Sequence, residues 1–308
     1  MIVASTPRPL KEANRLTQLL DLRFGKDRFD QEPVDLAWLA REYSRQISPE
    51  SPIHEVDERD IPGCMGTLVY SDCRPRQWGI YYHKGQSPGR RAFTIGHELG
   101  HYLLHRELIE TDSRFQGGIT CDEESVLQRD GQGIEKEADS FAAALLMPLH
   151  DFRNQLAPDA RPDIAKLSAM AKRYGVSLTA TILRWLEYTD TRAMMIVSNE
   201  GFALWARPSG AALRSGLFIR TKNVVYELPA QSVAGARVFS EESKTGIPQS
   251  KAVWGFPDAP LEMCIRSERY DQEITLLHFE KNGPVYQQEE DEPEDAYDRF
   301  LNIGRPIG

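Results

Sequence analysis

Seven histidines are spread over the 308 residues, and two of them share a spacing that can do chemistry. His97 and His101 flank a carboxylate in the run His97-Glu98-Leu99-Gly100-His101. On an α-helix, side chains at i and i+4 differ by only ~40° and project from one face, so two imidazoles placed this way can grip one Zn²⁺. Glu98 falls ~100° round from His97, near enough to reach water activated there without ligating the metal. That division of labour is the physical content of the HExxH pattern. Composition alone gives about 0.02 chance matches to it. Ile95, Leu99 and Leu103 give the same helix a buried side. Gly96 and Gly100 thin it, each at ~1 kcal/mol against alanine, where another element must approach closely.

A catalytic zinc takes three protein ligands and keeps a fourth position open. The metzincin extension would need glycine at 104 and histidine at 107, where this chain has Leu104 and Glu107. The third ligand is therefore sought in the helical pattern IEKEADSFAAALL, whose apolar face is Ile134, Ala138, Phe141, Ala142 and Leu145. Glu135 lies on the flank of that face and Asp139 follows one turn on. Glu135 is the expected ligand, with Glu137, further from the apolar centre, as its rival. Asp139 is placed to accept the spare N–H of a ligating histidine, which fixes its tautomer and ring direction. His105 continues the row of His97 and His101, either as a packing and supporting residue or to polarise a substrate carbonyl. Tyr82 and His83, on a strand-like run just ahead, are further candidates for contact with the substrate or transition state.

These residues need elements to position them. Leucines at helical spacing mark 10–24, and 34–45 form a second amphipathic helix. TLVY and QWGIYYH read as short strands. Ser87 is an N-cap and Pro88 a first helical residue, opening a helix expected to run to about Arg106. Residues 110–133 are polar and glycine-containing, and read as a long surface loop. Residues 163–173 and 177–188 form a helical pair around Tyr174-Gly175-Val176-Ser177. After about 190 the texture changes: AMMIVSNEGFALWA, GLFIRTKNVVYELP and LEMCIRSERYDQEITLLHFE all read as hairpins. Four parts follow: a peptidase domain at 1–157, a helical segment at 158–190, a β-rich domain at 191–287 and an acidic tail at 288–308.

The formal net charge is -9, which repels phosphate backbones unless a basic patch is hidden in the total. Four scattered cysteines without a C-x-x-C pair argue against a disulfide framework and a thiolate zinc cage. The first residues lack an apolar h-region, and no window is long and apolar enough to span a bilayer. The expectation is a protein of the cytoplasm that does not enter a membrane.

FTIGHELGHYLLH followed by IEKEADSFAAALLMP resembles the ImmA/IrrE family of metallopeptidases, over roughly residues 30–190. The family's HExxH maps onto His97, Glu98 and His101, and its E-x-x-A-[DN] motif onto Glu135, Ala138 and Asp139. The resemblance implies an α+β, multidomain chain: a thermolysin-like (gluzincin) and mostly helical peptidase domain with a small sheet, then a helix-turn-helix-like segment at 163–188 and a β-rich, sensor-like C-terminal domain. It implies one Zn²⁺ per chain held by His97, His101 and Glu135, with Glu98 as general base. It also implies a protein substrate, a helix-turn-helix (XRE-type) repressor, whose cleavage derepresses stress-response or mobile-element genes.

The competing class is a DNA-binding or partner-binding regulator with a non-catalytic metal site, because AKRYGVS looks like the turn of a helix-turn-helix. Against direct DNA binding, Lys166, Lys172, Arg173 and Arg184 are offset by Asp163, Glu187 and Asp190, leaving no basic stripe.

Overall fold

The computed structural model describes residues 8–73, 75–122, 132–222 and 224–281; the acidic tail at 288–308 lies outside the described residues. The fold is α+β. It forms two compact units, one from Met1–Asp151 with Lys172–Ser177 and the other from Phe152–Ala171 with Leu178–Gly308.

In the first unit, α1 (Pro9–Phe24) and α2 (Leu36–Ile47) precede strands β1 (Ile53–Arg59), β2 (Cys64–Tyr70) and β3 (Trp78–His83). The long helix α3 (Pro88–Thr111), β4 (Gly118–Asp122) and α4 (Gln132–Leu146) complete it. The sheet order is β1-β3-β2-β4. β1 runs parallel to β3, and the other pairs are antiparallel. Both amphipathic helices and the two expected strands are present. β1 and β4 were not expected. β4 lies inside the stretch read as a loop, and its partner is β2, about fifty residues earlier in the chain. The metal helix also runs on to Thr111 rather than stopping near Arg106.

The sheet faces α3 through side chains that exclude water. Leu68, Trp78 and Ile80 are buried on the strands, and Leu99 and Tyr102 on the helix. Trp78 and Tyr102 meet edge to face with centroids 5.7 Å apart, a geometry worth about 1 kcal/mol beyond burial. Their polar ends share one residue. Trp78 Nε1 donates to Ser51 Oγ (2.9 Å) and the Tyr102 hydroxyl to the Ser51 carbonyl (2.7 Å).

The chain leaves this unit within α5 (Leu149–Gln155) and returns near the end of α6 (Ile164–Tyr174). The second unit includes α7 (Leu178–Leu186), the hairpin of β5 (Ala193–Asn199) and β6 (Phe202–Pro208), and helices α8 (Gly210–Arg214), α9 (Val233–Ala236) and α10 (Glu241–Thr245). It closes with β7 (Ile247–Pro248), α11 (Lys251–Trp254), β8 (Leu261–Ser267) and β9 (Gln272–His278). The strands form an antiparallel sheet of order β6-β5-β9-β8-β7. Glu200 and Gly201, both at positive φ, make the tight turn that matches the twist of the β5–β6 hairpin.

Two of the three expected hairpins form. GLFIRTKNVVYELP does not: its described residues hold only an isolated bridge, Phe202 to Glu227. Leu217, Ile219 and Leu228 from that stretch are instead buried with Met194, Ile196 and Leu277, so its apolar run covers a sheet face rather than extending the sheet. Among the described residues, no helix is long and apolar enough to cross a membrane.

One polar cluster ties the ends of the first unit together. Asp151 accepts from Arg173 (3.0 and 3.1 Å) and from the Tyr174 hydroxyl (2.7 Å); Arg173 also pairs with Asp30. Burial alone would raise the Asp151 carboxyl, but the hydrogen bonds from Arg173 and Tyr174 hold it below its ordinary value. Asp151→Ala leaves Arg173 paired with Asp30 but removes its hydrogen bonds to Asp151 and that of the Tyr174 hydroxyl, so it should destabilise the fold by about 2 kcal/mol at neutral pH. A carboxyl with a depressed native pKa gives its full stabilisation above the unfolded value of about 3.9 and loses it as pH falls through the native one. Urea unfolding curves of wild type and variant should therefore differ most at neutral pH and converge below about pH 4.

Candidate metal centre

Helix α3 starts as its sequence dictates. The Ser87 side chain accepts from the Arg90 N–H at 3.3 Å and Pro88 occupies the first turn. From Thr94 to Tyr102 every residue is buried, which an amphipathic surface helix would not show. The reason is that α3 is covered on both sides, by the sheet and by α4. Glycines make the second contact possible. A Cβ on Gly100 would lie 3.1 Å from Ala138 Cα and 3.1 Å from Phe141 Cδ1. One on Gly96 would lie 3.2 Å from Leu36 Cδ1 and 3.4 Å from Ala142 Cβ.

That approach brings three donors together. His97 Nε2 and His101 Nε2 are 3.0 Å apart, Glu135 Oε2 is 3.1 Å from the former, and Glu135 Oε1 is 3.3 Å from the latter. These three residues form the metal-capable cluster found among the described residues. A tetrahedral zinc with bonds of ~2.0–2.1 Å separates its ligands by roughly 3.3 Å, so the donor set fits such an ion. Glu135, not its rival Glu137, supplies the carboxylate of the cluster.

The back of each imidazole is also held. His97 Nδ1 is 2.8 Å from Asp139 Oδ1, the arrangement expected from the sequence. His101 Nδ1 is 3.1 Å from His105 Nδ1, and His105 Nε2 is 2.9 Å from Glu137 Oε2. Burial pushes His101 down to about 4, against the pull of Glu135. Burial likewise lowers His105, against the hydrogen bond to Glu137. Burial would raise Glu135, but the hydrogen bonds from His101 and His97 outweigh it and hold the carboxyl well below its ordinary range. At neutral pH His101 and His105 are neutral and Glu135 is ionised, as binding of a divalent cation by an imidazole and a carboxylate requires.

Glu98 is fully buried and lies against β2. A Cβ on Gly66 would come within 2.6 Å of its Oε1 and 2.5 Å of Thr94 Cγ2. Gly66 was not singled out from the sequence, where an isolated glycine in a strand-like run marks close backbone approach. Tyr82 and His83 are half-buried on β3. Tyr82 pairs with Gly66 across the strands, and the Arg91 guanidinium lies 6.0 Å from its ring centroid. No described contact joins either residue to the three-donor cluster.

An HExxH helix answered by a carboxylate from a second helix is the framework of a metallopeptidase. Residues 52–186 match the family described as Peptidase_M78, IrrE N-terminal-like domain. That segment is a member of the family, as the ImmA/IrrE resemblance implied; the C-terminal sheet lies beyond the match. No curated protein matches the chain. Among solved structures, a Mycobacterium tuberculosis transcriptional regulator is similar, with 15% identity and a TM-score of 0.47, covering 88% of this chain and 80% of that one. A likeness that distant informs neither mechanism nor partner.

The helix contact can be tested apart from the ligands. Gly100→Ala gains about 1 kcal/mol of helix propensity but presses on the Ala138 backbone, an overpacking cost of about 2 kcal/mol. A net loss of about 1 kcal/mol in thermal unfolding is expected, together with weaker zinc binding in a chelator competition. Unchanged zinc affinity would show that α4 yields without moving Glu135.

Proposed function

We propose that this chain is a zinc-dependent endopeptidase with the thermolysin-like arrangement of ligands, and that its substrate is a helix-turn-helix repressor. The observation that carries the peptidase reading is the convergence of His97, His101 and Glu135 beside the buried Glu98. His97, His101 and Glu135 hold the ion, and Asp139 orients His97. Bound zinc supplies Lewis acidity and lowers the pKa of water from 15.7 toward 7. Glu98 accepts the proton of the attacking water and delivers it to the leaving amine nitrogen. The wall formed by Gly66 and Thr94 fixes the Glu98 carboxylate for both transfers.

The repressor substrate rests on the family resemblance. The helix-turn-helix-like segment, α6 and α7 with Gly175 at positive φ between them, is proposed as a brace or recognition element rather than a DNA reader. Two of its cations are already engaged: Arg173 with Asp151 and Asp30, and Arg184 with Glu187 at 2.7 Å. The β-rich part is proposed as a sensor-like domain, and the protein as cytoplasmic.

Glu98→Gln should keep about one zinc per chain while lowering peptide hydrolysis by about 10²–10⁴-fold, whereas Glu135→Gln should lose the zinc. Gly66→Ala should resemble Glu98→Gln, because its Cβ displaces the carboxylate; an error of ~1 Å costs about 10²-fold. Metal analysis and a generic casein assay read both effects. Full activity in Glu98→Gln would sink the peptidase assignment. Helix-turn-helix repressors of the XRE type, incubated with zinc-loaded protein and followed by mass spectrometry, test the substrate; intact repressors alongside cleaved casein would refute that part alone.

A further inference from the structure

The two histidines of the metal pair are supported differently. His97 reaches a carboxylate of α4 directly, through Nδ1 and Asp139. His101 reaches one only through a second imidazole, His105, which is 2% exposed and whose far nitrogen meets Glu137. We infer that His105 and Glu137 form a serial relay that fixes the tautomer and ring direction of His101, making both positioning residues of the metal site. This rests on the metal reading given above.

The proton assignments follow from one another. His101 turns Nε2 toward His97 and Glu135, and a ligating nitrogen carries no proton, so the His101 proton sits on Nδ1. That N–H faces His105 Nδ1 at 3.1 Å, which must accept it. A neutral imidazole that accepts at Nδ1 carries its own proton on Nε2, and that N–H donates to Glu137 Oε2 at 2.9 Å. Each position admits one tautomer. The chain of hydrogen bonds therefore ends on an acceptor-only carboxylate whose side chain is 30% exposed. Glu137 thus has a use that neither ligation nor a solvated helix surface explains. His105 stands behind the metal ligand rather than in front of a substrate carbonyl, since both its nitrogens are committed.

Zinc affinity, measured by competition with a chromophoric chelator, tests the relay without any activity assay. His105→Leu and Glu137→Leu should each weaken zinc by about 10–100-fold, the range for groups that orient metal ligands. The double variant should be little worse than either alone, because links in series are not additive. His105→Gln should recover much of the loss, since its amide oxygen can accept from His101 and its NH₂ can donate to Glu137. In zinc-loaded wild type, ¹⁵N NMR should show His105 protonated on Nε2 and bare on Nδ1. That spectrum decides the matter even if the leucine variants fail to fold. Wild-type affinity in His105→Leu, additive losses in the double variant, or a proton on His105 Nδ1 would overturn the relay. If Glu135→Gln loses zinc in the same assay, the metal reading stands whatever the relay does; if it binds as wild type, both fall.

Discussion

Everything at this centre depends on how closely two helices approach. Gly96 and Gly100 remove the side chains that would hold α4 away from α3, and Ala138 and Ala142 do the same from the other side. Helices usually pack 8–10 Å apart, with the distance set by the residues at the contact; small residues select the short end. Only there can a glutamate from α4 reach between two imidazoles of α3. The sheet then seals the opposite side of α3, leaving Glu98 buried between helix and strand. Packing comes first in this arrangement, and the chemistry occupies the space that packing leaves.

Electrostatics completes what packing begins. Glu98, Glu135, Glu137 and Asp139 crowd around three buried histidines, and ionised carboxylates are costly out of water unless paired. The chain gives each a different neighbour: both metal-facing imidazoles for Glu135, the outer nitrogen of His97 for Asp139, the last ring of the row for Glu137, and the close steric wall of Gly66 and Thr94 for Glu98. Four residues of one chemical type therefore carry four duties, separated by what each touches.

Much of this was legible in the sequence because it is local. The His97–His101 spacing, the N-cap at Ser87 and the alanine-rich face of α4 are short-range patterns that survive folding intact. Glu137 was weighed only as the rival to Glu135, and its contact with His105 was not foreseen, because it lies ~200° round α4 from Glu135 and a face-by-face reading gives such a residue no access to the histidine row; its partner is His105, beyond the ligand pair. β1 was missed because IHEVDER carries charge on both faces, and β4 because its pairing with β2 is long-range. GLFIRTKNVVYELP was misread for the opposite reason: an apolar run can cover a sheet as well as join one, and periodicity does not separate the two. Gly66 was invisible because its role lies in what sits above it.

The pairing of three carboxylates on α4 with three imidazoles on α3 also bears on how such a chain can change over evolutionary time. Each imidazole is matched to a carboxylate at a fixed depth, so a single-residue insertion within 97–105 or 135–139 would misalign several pairs at once. Substitutions there would be expected to travel in company: a change at 105 alters what is useful at 137, and one at 97 what is useful at 139. The residues of these pairings all lie on α3 and α4, so a change of length between the helices and outside β4 leaves their spacing intact. Among descendants of this sequence, variation in length should therefore collect between the two helices, while inside them the residues should vary only as matched sets.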